Sequence, residues 1–153
     1  MKELPVHYFE LYKLAVEMAD RVSARRTAAN AFFITVQGAL ASLLGFAVNT
    51  FDSLPATQNF GIIFFCIIGI VLSYTWAVLI KSYRDLNSAK FSVILEMEKN
   101  LSVAPFGDEW KYLKKDPVSK WRKRYAELTS VEKNIPWTFA AIYLFVLIVI
   151  IVR

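Results

Sequence analysis

Three long uncharged stretches alternate with charged stretches along the chain. They cover residues 31–50, 60–80 and 135–152, and none contains Asp, Glu, Lys or Arg. A helix needs about 20 apolar residues to cross a hydrocarbon core of roughly 30 Å, so the first two stretches are long enough and the third barely reaches that length. The pattern therefore predicts three membrane spans. A helix buried inside a bundle is the alternative for the third.

The charged stretches beside the first two spans are amphipathic. Apolar residues recur at helical spacing through residues 8–22 and 83–101. Neither Gly nor Pro occurs in residues 7–36 or 71–103, so each span is predicted to continue into its flank as one unbroken helix. We call these two helical flanks the stalks. The fold predicted is all-α, a multi-span helical membrane protein with long helices extending into a cytoplasmic helical region.

Helix-breaking residues divide the segment that follows the second stalk. Pro105 and Gly107 predict that the stalk helix ends before them, and Asp108 is the expected cap of a short helix through Leu113. Pro136 falls in the first turn of the third span, where a missing N–H costs nothing.

The basic residues predict how the chain is oriented in the membrane. Arg25 and Arg26 precede the first span and Lys81 and Arg84 follow the second, whereas the connector between these spans holds one Asp and no base. Positive flanks stay in the cytoplasm, which places the N-terminus there. We expect one domain, 1–153, made of a cytoplasmic amphipathic helix (1–30), span 1 (31–50), span 2 (60–80), a cytoplasmic helical region (81–134) and span 3 (135–152).

Composition and charge agree with a membrane protein and argue against catalysis. Apolar residues make up 56% of the chain and the formal net charge is +5. Cytoplasmic flanks facing an anionic leaflet account for this charge, so no nucleic-acid partner is needed. His7 and Cys66 are the single histidine and cysteine, and no phosphate-binding or nucleotide-binding glycine motif is present. We therefore expect no enzyme activity, no cofactor and no metal.

Small and polar residues form a stripe along span 1. They recur at steps of three and four, which puts them on one side of a helix. Such a stripe either allows close packing of helices or lines a water-filled path. The stripe consists of Thr35, Gly38, Ser42, Gly45 and Asn49.

A basic cluster around one tryptophan lies before span 3. It can hold anionic lipid headgroups with the indole at the interface, and a solvated basic face is the alternative. Its residues are Lys120, Trp121, Arg122, Lys123 and Arg124.

Four segments carry a resemblance to a known family. They are LYKLAVEMADRVSARRTAANAFF (11–33), SYRDLNSAKFSVILEMEK (82–99), APFGDEW (104–110) and YAELTSVEKNIPWTF (125–139). In this order they closely resemble the RipA family of octameric membrane proteins of the bacterial inner membrane. The chain is more loosely similar to two-span SLATT effector modules and to the membrane accessory protein of type VI CRISPR systems. It lacks the Arg-x4-6-His motif discussed for that accessory protein, which argues against RNA cleavage.

The family resemblance implies a homo-octamer in the inner membrane. The looser similarity to effector modules associated with antiphage defence implies that this octamer acts as a pore or membrane-perturbing effector. A non-conducting scaffold or regulator that recruits a cytoplasmic protein is the alternative. Lys90 interrupts an apolar stripe, so it needs a carboxylate or water, unless its side chain extends to solvent. Polar contacts between stalks are expected from Asp20, Arg21, Arg25, Arg26, Asn87, Lys90, Glu96 and Glu98.

Overall fold

The computed structural model describes residues 7–50, 59–115 and 132–152, with side chains throughout except at 48–50, 59 and 113–115. Regular structure in these ranges is helical throughout, which confirms the predicted all-α class. The four helices are α1 (Tyr8–Thr50), α2 (Asn59–Glu98), α3 (Pro105–Lys115) and α4 (Ile135–Val152).

Helices α1, α2 and α4 are each long and apolar enough to cross a membrane. Of the α4 side chains, only Pro136 and Tyr143 are buried within the chain. Ten of its eighteen residues are exposed and six are half-buried, so α4 is not buried on all sides within the described chain. The remaining α4 surface suits lipid or a neighbouring subunit.

Helices α1 and α2 are continuous, as the absence of Gly and Pro from their central parts predicts. They contain 43 and 40 residues. At 1.5 Å per residue each is about 60 Å long, roughly twice the thickness of a hydrocarbon core. Each helix is therefore long enough to combine a span with a stalk.

Helix α3 begins earlier than its sequence predicts. It starts at Pro105, which suits the first helical turn, and Asp108 lies inside it instead of capping it. The cap comes from another helix, because the Glu98 carboxylate accepts hydrogen bonds from the backbone N–H groups of Phe106 (3.0 Å) and Gly107 (2.9 Å). Sequence reasoning could not supply this cap, since it looks for the capping residue next to the helix.

The chain forms two compact units. We call residues 1–25 with 83–128 the stalk unit, and residues 26–82 with 129–153 the span unit. Both long helices contribute to both units. In the stalk unit the core consists of Tyr12, Ala19 and Ile94, with Phe91 and Phe106 packed against it.

The span unit has two buried apolar clusters. In one, the rings of Phe33 and Trp76 stack with centroids 5.7 Å apart, and the Trp76 indole N–H donates to Asn30 Oδ1 at 3.0 Å. In the other, Cys66 and Tyr143 are fully buried between α1, α2 and α4. The second cluster encloses the polar contacts described next.

Candidate functional site

A polar network lies buried in the span unit and joins its three helices. The Gln37 side-chain Nε2 on α1 donates to Ser73 Oγ (2.7 Å) and to the Gly69 carbonyl (3.3 Å) on α2. Ser73 in turn donates to the same carbonyl at 2.8 Å, and the Tyr143 hydroxyl on α4 donates to the Gln37 carbonyl at 3.2 Å. Gln37, Ser73 and Tyr143 are at most 1% exposed. Such contacts between helices stabilise association in lipid.

Gly69 makes the network possible by allowing α4 to approach the α2 backbone. A Cβ atom at this position would lie 2.5 Å from Cε2 of the Tyr143 ring, closer than carbon atoms can approach. The ring therefore lies against a backbone surface that only glycine leaves open. From this position the tyrosine hydroxyl reaches α1.

One atom of the network has no partner among the described residues. Gln37 Oε1 is buried and accepts no hydrogen bond there. An unsatisfied buried acceptor costs about 1–3 kcal/mol. The amide contributes to packing through its two donated hydrogen bonds.

The predicted small-residue stripe lies on a different side of α1 from this network. At about 100° per residue, Gly38, Ser42 and Gly45 point roughly 80–140° around the axis from Gln37. They and Thr35 are exposed, and a Cβ at either glycine would meet nothing within 4 Å. The hydroxyls of Thr35 and Ser42 donate to carbonyls of their own helix. These four residues thus pack against no other helix of the described ranges, and the Asn49 side chain lies outside the described residues.

Glu98 organises the polar contacts of the stalk unit. Its carboxylate is 3% exposed and accepts a hydrogen bond from the Tyr12 hydroxyl (2.9 Å) as well as the two N–H groups at the start of α3. Tyr8 adds a second link, because its hydroxyl donates to the Met97 carbonyl at 3.0 Å. A single carboxylate therefore ties α1, α2 and α3 together.

Burial raises the pKa of the Tyr12 hydroxyl to about 12, and the hydrogen bond to Glu98 with its negative charge adds to the shift. The hydroxyl therefore stays protonated and can donate to Glu98 at neutral pH. The group is a structural donor under these conditions and does not supply a reactive phenolate.

Other predicted stalk residues have varied surroundings. Arg21 pairs with Glu17 at 2.6 Å within α1, and Glu96 on α2 pairs with Lys99 just after that helix, both on the exposed surface. Asp20 and Arg25 are exposed, Lys90 is half-buried, and Asn87 Oδ1 is buried without a hydrogen-bond partner among the described residues. Of the eight predicted residues, Glu98 joins α1 to α2 within the chain, and contacts between copies stay a prediction.

Arg26, predicted to contact another stalk, instead pairs with a residue just before α4. Its Nε lies 3.8 Å from Glu132 Oε2, and both side chains are about four-fifths buried. The pair connects α1 to the segment just before α4, within the span unit. The predicted headgroup cluster lies outside the described residues and comprises Lys120, Trp121, Arg122, Lys123 and Arg124.

Sequence reasoning missed the buried network because it searched span 1 for repeated spacing. Gln37 does not share the spacing of the stripe, and it was not singled out. The available signal was chemical: Gln37 is an amide in the middle of a span, where polar side chains are costly unless they face other helices. Ser73 and Tyr143 are polar groups near the middle of the other two spans, and the same criterion would have selected them.

The sequence matches the Octameric membrane protein family (8xMP) over residues 9–152, nearly the whole chain. No curated protein and no solved structure matches it. The matched range includes the three apolar helices, the buried network and the Glu98 contacts. The chain therefore belongs to the octameric membrane protein family.

Proposed function

We propose that eight copies of this chain form a ring in the bacterial cytoplasmic membrane and act as a pore or membrane-perturbing effector in antiphage defence. The N-terminus and residues 81–134 face the cytoplasm, in line with the basic residues that flank the spans. In this role the protein has no catalytic activity. The direct partners of each copy are other copies and membrane lipids.

One observation supports the pore most strongly: the stripe of α1 is exposed and turned away from the network that holds the three spans together. Lipid gains nothing from hydroxyls and open glycine backbone. In a ring of subunits one flank of the stripe can pack against a neighbour while the other faces the axis. Ser42 bonds to its own helix but retains acceptor capacity for water.

Thiol labelling tests whether the stripe is wetted. In a Cys66→Ala background, Ser42→Cys and Asn49→Cys in the oligomer should react with a small membrane-impermeant thiol reagent, because a wetted thiol can ionise. Leu43→Cys is the matched control, since Leu43 is also exposed in the single chain but lies outside the stripe. In planar bilayers the reagent should reduce the current through Ser42→Cys and leave that through Leu43→Cys unchanged.

Gly45→Leu tests the packing role of the same stripe. A bulky side chain at a close crossing should separate neighbouring helices and weaken the ring. Protection of positions 42 and 49, combined with loss of the ring in Gly45→Leu, would mean that the stripe packs and does not conduct. A silent bilayer together with a co-purifying cytoplasmic protein would favour the alternative, a non-conducting scaffold or regulator.

A further inference from the structure

The stalk unit exposes a set of large aliphatic side chains that nothing in the described chain covers. Three lie on α1 and two on α2, and each is about half exposed. Around α1 they share one arc of roughly 60°, and on α2 the two are seven residues apart, so they lie one above the other. We call this set the aliphatic face: Leu11, Leu14, Met18, Leu86 and Val93.

The five residues lie on one side of the stalk unit. On α1 they are rotated by roughly 100–160° from the buried Tyr12, and on α2 by roughly 90° from the buried Ile94, in the same rotational sense. The two helices run antiparallel, with Tyr8 and Tyr12 of α1 bonded to the last turn of α2. The same sense of rotation on two antiparallel helices brings both groups to the same side of the pair.

Lipid is a poor cover for this face. The α1 residues beside it include Glu10, Lys13, Glu17 and Arg21, all exposed, and charged groups are costly inside hydrocarbon. These charges favour a stalk unit that lies in water, where large apolar side chains exposed together mark a protein interface.

We propose that a second copy of this chain covers the aliphatic face, and that the surface it presents consists of Tyr112 on α3 and Val103, two residues before that helix. The inference rests on the proposed homo-octamer. A closed ring of eight needs a head-to-tail contact, so each copy must carry two different surfaces that fit each other. Val103 is 66% exposed and Tyr112 is 75% exposed, which leaves both available for such a contact.

The two surfaces are arranged as a ring requires. Helix α3 packs on α2 through Phe106, whose ring meets Phe91 edge to face at 5.7 Å. Phe91 lies roughly 140–160° around α2 from Leu86 and Val93. In an eight-membered ring the directions to the two neighbours of a subunit differ by about 135°, close to this angle for helices that run along the ring axis.

Cross-linking tests the pairing directly. In a Cys66→Ala background, the double variant Val93→Cys with Tyr112→Cys should give a ladder of products up to the octamer with a short bismaleimide, whereas each single variant should remain monomeric on a denaturing gel. Ser92→Cys with Tyr112→Cys is the matched control, because Ser92 is exposed on α2 but turned roughly 100° from Val93. Dimers from either single variant, or an intact ring without a ladder, would overturn the proposal.

Charge placed on the face gives a second, independent measurement. Met18→Glu and Val93→Glu should each weaken the octamer without changing its helical content. We expect the protein concentration in the detergent phase at which half of the octamer is dissociated to rise at least tenfold. Ala24→Glu and Ser92→Glu, at exposed positions of the same helices outside the face, should shift it less than twofold. A ring that survives both face substitutions would overturn the proposed interface but would be compatible with the proposed octamer. A wild-type chain that is monomeric throughout overturns the proposed function itself.

Discussion

The stalk unit and the span unit both use buried polar groups to join three helices, but the groups differ in charge. In the span unit the network consists of an amide, a hydroxyl, a phenol and backbone carbonyls, all neutral. In the stalk unit the central group is the Glu98 carboxylate, with three donors around it. Neutral groups suit hydrocarbon, where an ion is costly, whereas a carboxylate needs several donors and nearby water.

The same difference changes what an exposed apolar side chain means. Phe145 on α4 is 68% exposed and Val93 on the stalk is 56% exposed. Phe145 can face lipid at no cost, whereas Val93 gains from being covered if the stalk lies in water. Burial in the stalk unit gains about 25 cal/mol per Å², a gain that is missing between helices already in lipid. We therefore expect contacts between copies to depend on shape and polar groups in the span unit, and on apolar burial in the stalk unit.

The largest expected effect comes from filling the space at Gly69. Gly69→Ala puts a methyl group into the fully buried Tyr143 ring, 2.5 Å from its nearest atom, so we expect a loss of about 3 kcal/mol in the free energy of unfolding. Denaturant titration of helical content in detergent micelles would measure it. The change should come from the span unit alone.

Gly61 provides the matched control in the same helix. A Cβ there meets nothing within 4 Å, so Gly61→Ala should change the free energy of unfolding by at most about 1 kcal/mol, through helix propensity alone. Equal effects at the two glycines would mean that α2 and α4 do not approach each other as closely as described.

The second effect tests the charged centre of the stalk unit. Glu98→Ala removes the acceptor for Tyr12 and for two N–H groups of α3. We therefore expect the free energy of unfolding to fall by about 2 kcal/mol, and proteases to cleave the chain faster at sites that follow α2. Glu96→Ala, which removes an exposed carboxylate from the same helix turn, should cost less than about 0.5 kcal/mol. Comparable losses would show that Glu98 acts only as a surface charge.

The sequence was sufficient to predict the helices but not their contacts. Spans and stalks follow from uncharged length and from the absence of Gly and Pro, which are properties of single segments. The Gly69–Tyr143 contact joins residues on two helices, and glycine is common in spans, so nothing local identifies which glycine is covered. The start of α3 was misjudged for the same reason, since its cap lies on α2.

The candidate site divides in the same way. The stripe of α1 could be read from spacing because it involves one helix, and its exposure agrees with a surface left open for other copies. Gln37 is a member of no repeat, and its role depends on Ser73 and Tyr143 meeting it from two other helices. The sequence predicts a polar contact for Glu98 but indicates neither Tyr12 nor the α3 backbone as its partner.

The smallest expected effect separates the hydroxyl of Tyr12 from its ring. Tyr12→Phe keeps the apolar packing and removes the donor to Glu98, so the free energy of unfolding should fall by about 1 kcal/mol at pH 7. The pKa of Tyr12 is about 12 in the folded chain against an ordinary value of 10, so folding holds its proton more tightly. This contribution is complete below pH 10 and is lost as the pH rises from 10 to 12, at about 1.4 kcal/mol per unit.

Measured against pH, the wild-type chain should therefore lose its advantage over Tyr12→Phe near pH 11 and become the less stable of the two above it. All other groups are common to both proteins, so their contributions cancel in the difference. Parallel stability curves from pH 9 to 12 would mean that the hydroxyl is hydrated in the folded chain. The Glu98 centre would then be hydrated as well as charged, whereas the groups around Gln37 are neutral and at most 1% exposed.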